Sequence, residues 1–321
     1  MPTNMVPFRY EKAILNVLQV CDPTSGKERC SPFWSTAAPA IFILLWSGGF
    51  TALKAGLAYA EPVTYLALRY GVVLAVLVPL FLFMRPPLPK SPAEWGHQAV
   101  IGVLVQTLYF GLAYIAMKLG VSAGLQALIV SLQPILVGIL APGLVHERVG
   151  AVQWLGLCLG ILGAALVIMT RSAVDATSAA GILCSFGALF GMTAGTLYEK
   201  RFGIAQHPVT SNLVQYAVGF AAVMPLAWAL EDMHVAWTGQ MIAALLYLVI
   251  GNSLISVTLL LAMIRRGEAS RVSALFFLIP PTAAVIAWLL IDEAMPPLAW
   301  LGMVLAAAGV AVASRPALQK K

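Results

Sequence analysis

Residues 122–168 read SAGLQALIVSLQPILVGILAPGLVHERVGAVQWLGLCLGILGAALVI, and residues 273–313 read SALFFLIPPTAAVIAWLLIDEAMPPLAWLGMVLAAAGVAVA. Laid over each other they pair Pro134 with Pro280, Glu147 with Glu293, Trp154 with Trp300, Gly156 with Gly302 and Gly163 with Gly309, each 146 residues apart. The interval holds upstream without a gap. Gly49 meets Gly195, Lys54 meets Lys200, Pro62-Val63-Thr64 meets Pro208-Val209-Thr210, Tyr70 meets Tyr216 and Pro79 meets Pro225. Leu, Ala and Val would coincide by chance in an apolar chain; Pro, Trp, Lys and Glu in one register would not. The sequence is an internal repeat.

Of its 321 residues 60% are hydrophobic and 10% charged, with a mean hydropathy of +0.89, whereas roughly a quarter of a soluble domain is charged. A helix needs ~20 apolar residues to cross the hydrocarbon core. Cut at charged, Pro and Gly clusters, the apolar runs predict helices over 37–57, 62–84, 96–117, 121–142 and 151–170. Five more follow over 178–198, 208–230, 239–264, 269–291 and 297–314. The expected fold is an all-α integral membrane protein of ten transmembrane helices. Its segments are a tail over 1–36, a first repeat over 37–170, a second over 178–314 and a tail over 315–321. Five is odd, so the second repeat enters the membrane upside down relative to the first. Inverted repeats of this kind build many secondary transporters, with the solute site near the midplane between the halves.

The formal charge is +6, but the basic residues sit between apolar spans instead of clustering with aromatics, so no nucleic-acid partner is expected. Their distribution sets orientation, because cytoplasmic loops hold an excess of Lys and Arg. With the N-terminus inside, fifteen fall on the inner side, among them Arg85, Lys90, Arg148, Lys200, Arg201, Arg265, Arg266 and Arg271. Only Lys54, Lys118 and Arg171 fall outside. Both termini are thus expected in the cytoplasm, in a multi-pass protein of the cell membrane. Residues 1–36 carry seven charges and are no cleavable signal peptide; 8–20 reads either as a surface amphipathic helix or as part of a loose tail. The four cysteines show neither a disulfide framework nor metal-ligand spacing.

The stretch LLWSGGFTALKAGLAYAEPVTYLALRYGVVLA, residues 44–75, resembles the opening W-x-x-x-F…K-x-G…P…R-[FY] pattern of the drug/metabolite transporter superfamily, and within it of the EamA-type ten-helix proteins. Both copies of the repeat quoted first resemble that family's P…E-x…W-x-G…G segment, and together the likeness covers about residues 37–314. It implies export or exchange of small metabolites, amino acids or drugs through a central cavity. The second copy departs from the pattern at Asp292-Glu293-Ala294, where the first has Glu147-Arg148.

Polar residues inside spans are costly and face a cavity or one another. Ser47, Thr51 and Lys54 share a helix face, as do Tyr65 with Arg69, Gln106 with Tyr109, Gln126 with Gln133, Thr193 with Thr196, Asn212 with Gln215 and Asn252 with Ser256. One reading makes them a central polar cavity; the other makes them interhelical hydrogen bonds. The substrate-binding set expected from the first reading is Trp46, Thr51, Tyr65, Arg69, Gln106, Tyr109, Gln126, Gln133, Thr196, Gln215 and Asn252. Arg69 lies about seven residues inside its span, or ~10 Å at 1.5 Å per residue. It can receive a substrate carboxylate or phosphate in bidentate fashion, pair with Asp292 or Glu293, or cap helix carbonyls. Lys54 and Lys200 read as snorkelling anchors. Pro134, Pro280 and Pro281 interrupt two spans, as permanent bends or as hinges. The glycines around Gly156-x-x-x-Gly160 permit close helix packing, with a homodimer seam left open.

No expected span interior holds Asp or Glu, and His97, His146, His207 and His234 lie in or near loops. A carboxylate or histidine proton relay is therefore not expected. Nor is an enzyme, since there is no intramembrane Asp pair, no His-Glu-x-x-His and no nucleophile paired with histidine. No metal or cofactor is expected, and the expected partners are a small solute and the lipid bilayer. The leading reading is an exporter or exchanger working by alternating access. Uptake of a similar solute, or a channel or sensor, are the alternatives.

Overall fold

The computed structural model describes residues 37–147, 149–169, 178–203, 206–267, 269–291 and 297–313. Both tails, Arg148, Arg171, Asp292 and Glu293 lie outside the described residues. The described chain is helical throughout its regular structure. It begins with α1 (Ala38–Gly56) and α2 (Pro62–Met84). A rod over 92–118 follows, made of α3 (Pro92–Ile101), a π-helical segment (Gly102–Tyr109) and α4 (Phe110–Lys118). Next come α5 (Ala123–Val130), α6 (Gln133–Leu144) and α7 (Ala151–Met169).

The second half repeats this order. It contains α8 (Ala179–Phe202) and α9 (Pro208–Leu230). A rod over 239–266 joins α10 (Gly239–Leu246), a π-helical segment (Tyr247–Val257) and α11 (Thr258–Arg266). Then follow α12 (Ala269–Ala274), a 3-10 turn (Leu275–Leu278), α13 (Ile279–Ile291) and α14 (Pro297–Ala313). Six of these rods are long and apolar enough to cross a membrane, and the protein is a multi-pass membrane protein.

Its surface is apolar, and its interior, largely apolar too, also holds polar side chains. Leu82, Phe83, Leu162, Leu183, Trp228 and Leu230 each expose more than 60% of their area, while Arg69, Gln98, Gln106, Gln126, Gln133, Glu199 and Gln215 are buried. Such an arrangement gains free energy only where the outer solvent is hydrocarbon.

Elements 146 residues apart pack alike. α1 lies against α10 and its π segment, and α8 lies against the 102–118 rod. α1 also meets α13, and α8 meets α6. α2 runs beside α9, where Tyr70 and Tyr216 meet edge to face with centroids 5.3 Å apart. The contact of α7 with α14 is backbone to backbone: a Cβ on Gly163 would sit 2.3 Å from the Ala306 nitrogen, and one on Gly156 2.3 Å from the Ala313 nitrogen. The glycine stripe is thereby used within the chain.

Both fourth-in-half spans are broken just ahead of their prolines. The α5–α6 break falls at Ser131–Leu132, with Pro134 in the first turn of α6. The 3-10 turn Leu275–Leu278 separates α12 from α13 ahead of Pro280 and Pro281. Proline has no N–H to give to the carbonyl four residues back, so the preceding helix ends there. The third-in-half rods are instead underwound, since their π segments carry an i→i+5 bonding pattern that shifts side chains out of α register.

Candidate functional site

Two ends of the bundle can be named by their residues: the Lys54–Lys118 end and the Lys200–Arg265 end. Between them, in the half towards Lys54 and Lys118, lies a small, open-mouthed cavity of about 20 Å³. Trp46, Phe50 and Leu53 line it from α1, Arg69 from α2, Tyr109, Phe110 and Tyr114 from the 92–118 rod, and Leu248 and Asn252 from the second π segment.

Arg69 forms its polar end. The side chain is 1% exposed. Its Nε–H donates to Ser253 Oγ at 2.7 Å, Nη1 to the Tyr114 hydroxyl at 3.1 Å and Nη2 to Asn252 Oδ1 at 2.7 Å. The guanidinium carbon lies 4.4 Å from the centre of the Phe110 ring. All of these partners are neutral. Tyr216 fixes the Ser253 backbone by donating to its carbonyl at 3.1 Å. Trp46 stacks beside Tyr109, centroids 6.1 Å apart.

Of the expected set, Trp46, Arg69, Tyr109 and Asn252 line this cavity. Tyr65 is buried against Tyr114 with ring centroids 5.7 Å apart, and its hydroxyl has no protein partner. Thr51 does not belong there, because it is exposed. The cavity face of α1 runs through Trp46, Gly49, Phe50 and Leu53, and at 100° per residue Thr51 points away from it. The remaining residues are buried elsewhere. Gln215 donates to Gln98 at 2.9 Å, and Gln106, whose side-chain amide lacks a protein partner, faces Gly219 on α9. Gln126 accepts from Ser185 at 2.6 Å, and Gln133 donates to Thr196 and Ser273, both at 3.1 Å.

Sequence reasoning missed Tyr114, Phe110 and Ser253. Ser253 follows Asn252 directly in the second π segment, and both accept from Arg69. It also missed Glu199, which sits one residue past the expected span end yet is fully buried in the last turn of α8 and paired with Arg265.

The Lys200–Arg265 end is stitched shut. Glu147 accepts from the Ala269 and Ser270 backbone N–H groups at 2.9 and 3.3 Å and from the Ser270 hydroxyl at 3.3 Å. Lys200 Nζ lies 3.8 Å from Glu147 and donates to the Gly267 carbonyl, so it points inward and is no snorkelling anchor. Arg265 also donates to Ser211 Oγ at 3.2 Å, tying α11 to α9. Lys54 and Lys118 at the other end are exposed.

Residues 36–169 and 179–315 each match the EamA-like transporter family. The chain belongs to the EamA-like transporter family. It is 27% identical over 257 residues to "Uncharacterized transporter YvbV" of Bacillus subtilis, covering 79% of this chain and 83% of that protein. It is 24% identical over 281 residues to a "Probable amino-acid metabolite efflux pump" of Salmonella typhimurium, covering 84% and 91%. A solved crystal structure superposes with a TM-score of 0.72 at 20% identity, over 87% of this chain and 97% of that one. Among the described residues, no group of three His, Cys, Asp or Glu side chains could hold a metal ion.

Proposed function

We propose that this EamA-family chain is a secondary transporter, an exporter or exchanger that moves a small metabolite, amino acid or drug across the cytoplasmic membrane by alternating access. The observation that carries the reading is the placement of irregular backbone. The π segments at 102–109 and 247–257 and the breaks before Pro134 and Pro280 fall at matching places in the two halves. Tyr109 of the first π segment and Leu248 and Asn252 of the second line the cavity that holds the buried Arg69. Irregular helix at membrane depth is tolerated where it lines a cavity.

In this reading residues 37–170 and 178–314 are inverted five-helix repeats. The Lys and Arg excess puts both termini and the Lys200–Arg265 end in the cytoplasm. The conformation is then closed to the cytoplasm, with the Arg69 cavity on the outer side of the closure. Pro134, Pro280 and Pro281 mark the joints about which the half-helices turn. The names of relatives support efflux as the direction.

The test is counterflow in proteoliposomes with a pooled set of labelled metabolites, with and without a pH gradient. Saturable exchange of one class is the expected result. Flux without saturation would make the protein a channel instead, and no exchange by folded protein would overturn the carrier reading.

A further inference from the structure

We propose that the cavity selects a small organic acid of net charge −1 with an apolar body, and discriminates against the zwitterion and the amine of the same skeleton. The inference rests on the reading of this cavity as the solute site and names the solute's chemistry.

The argument starts from the charge on Arg69. A guanidinium stays protonated in proteins, and removing it from water costs several kcal/mol unless an anion compensates. Here three of its five N–H groups are held by Ser253, Tyr114 and Asn252, all neutral, and one N–H remains on each Nη. Guanidinium N–H groups left free in this way can donate to a carboxylate. No described residue lining the cavity is acidic. Glu231 is committed to the Val63 and Thr64 backbone N–H groups and the Thr64 hydroxyl. A bound monoanion would therefore neutralise a charge that the described protein leaves unpaired.

Among the described residues, the same wall offers an ammonium no acidic partner. An aromatic face can hold a cation, but Phe110 already lies 4.4 Å from the guanidinium carbon. An ammonium on Trp46 or Tyr109 would sit beside a like charge in a water-poor space. The rest of the lining is Phe50, Leu53, Ala113 and Leu248, which fits an apolar body. A zwitterion gains the Arg69 contact and then loses much of it by desolvating an unpaired ammonium.

The experiment uses three solutes with one aromatic side chain: the 2-oxo acid, the 2-amino acid and the amine. Counterflow and thermal stabilisation are measured on the reconstituted wild-type protein, then on Arg69→Gln and Tyr114→Phe. The expected result is a preference for the oxo acid of about tenfold or more over the amino acid, with no exchange of the amine. Arg69→Gln should abolish that preference, and Tyr114→Phe, which keeps the charge, should retain it. Equal or better exchange of the amino acid would overturn the inference while leaving the carrier reading intact. Failure of all three while other solutes exchange would also overturn it. The wild-type ranking decides the matter even if Arg69→Gln fails to fold.

Discussion

Replacing Glu147 with Gln should open the Lys200–Arg265 end of the molecule. The carboxylate holds the first turn of α12 through two backbone N–H groups and the Ser270 hydroxyl, and holds α8 through Lys200 at 3.8 Å. Hydrogen bonds to a charged group contribute about 1.5–3 kcal/mol each. A glutamine keeps one acceptor oxygen and loses the charge, so the equivalent of one such bond disappears. The side chains of Lys200 and Glu147 are 25% and 11% exposed, so solvent screens the ion pair and it adds only about 0.2–1 kcal/mol.

Together these terms come to roughly 1.7–4 kcal/mol, which shifts a two-state equilibrium by roughly 20- to 900-fold. The reporter is a single cysteine at Ser273, which is 1% exposed and bonded to Gln133, in a background lacking the native cysteines. A membrane-impermeant thiol reagent is applied to inside-out vesicles. Labelling should be slow with Glu147 and faster by roughly tenfold or more in Glu147→Gln. An unchanged labelling rate in a variant of unaltered Tm would refute the reasoning.

The Glu199–Arg265 pair gives a second test: Arg265→Leu leaves a fully buried carboxylate alone and should cost about 3–5 kcal/mol, read as a large fall in Tm in detergent. The double variant Glu199→Leu/Arg265→Leu, which copies Leu53 and Leu119 at the matching positions of the first half, should recover most of that loss. His207 caps α9 by accepting the Val209 N–H at 3.3 Å, and its burial lowers its pKa from the ordinary 6.5. Its contribution is thus present above about pH 6.5 and lost as pH falls below that, so the Tm difference between wild type and His207→Ala, which has no capping group, should shrink on acidification. Gly163→Val would push a side chain into the Ala306 backbone and should destabilise by about 3 kcal/mol or more, seen as loss of monodisperse protein on extraction.

Much of the fold was legible from residues alone. Apolar runs bounded by Pro and charge located the rods to within a few residues: 62–84 and 208–230 match α2 and α9, and 96–117 fell four residues short because Glu94 and the Ser91 cap were read as loop. Covalent order and transfer free energy suffice for this, since each helix satisfies its own backbone bonds in lipid. The candidate site was half legible. Arg69 stood out because a buried charge is rare at any position. Its neighbours Tyr114, Phe110 and Ser253 did not, because they come from other helices and no local pattern says which helices meet α2.

What the sequence by itself determined is therefore the local and the repeated: which segments are helical and apolar, that they recur at an interval of 146 residues, and which side chains are too costly for lipid. Tertiary structure alone decided what those side chains meet. It turned Thr51 outward, drew Lys200 inward to Glu147, buried Glu199 against Arg265 and gave Arg69 three neutral partners from two other helices. The physical reason is that helix formation depends on bonds four or five residues apart, whereas the compensation of a buried charge depends on groups brought from 45 to 184 residues away. Backbone winding and helix crossing set which groups those are, and no local pattern encodes either.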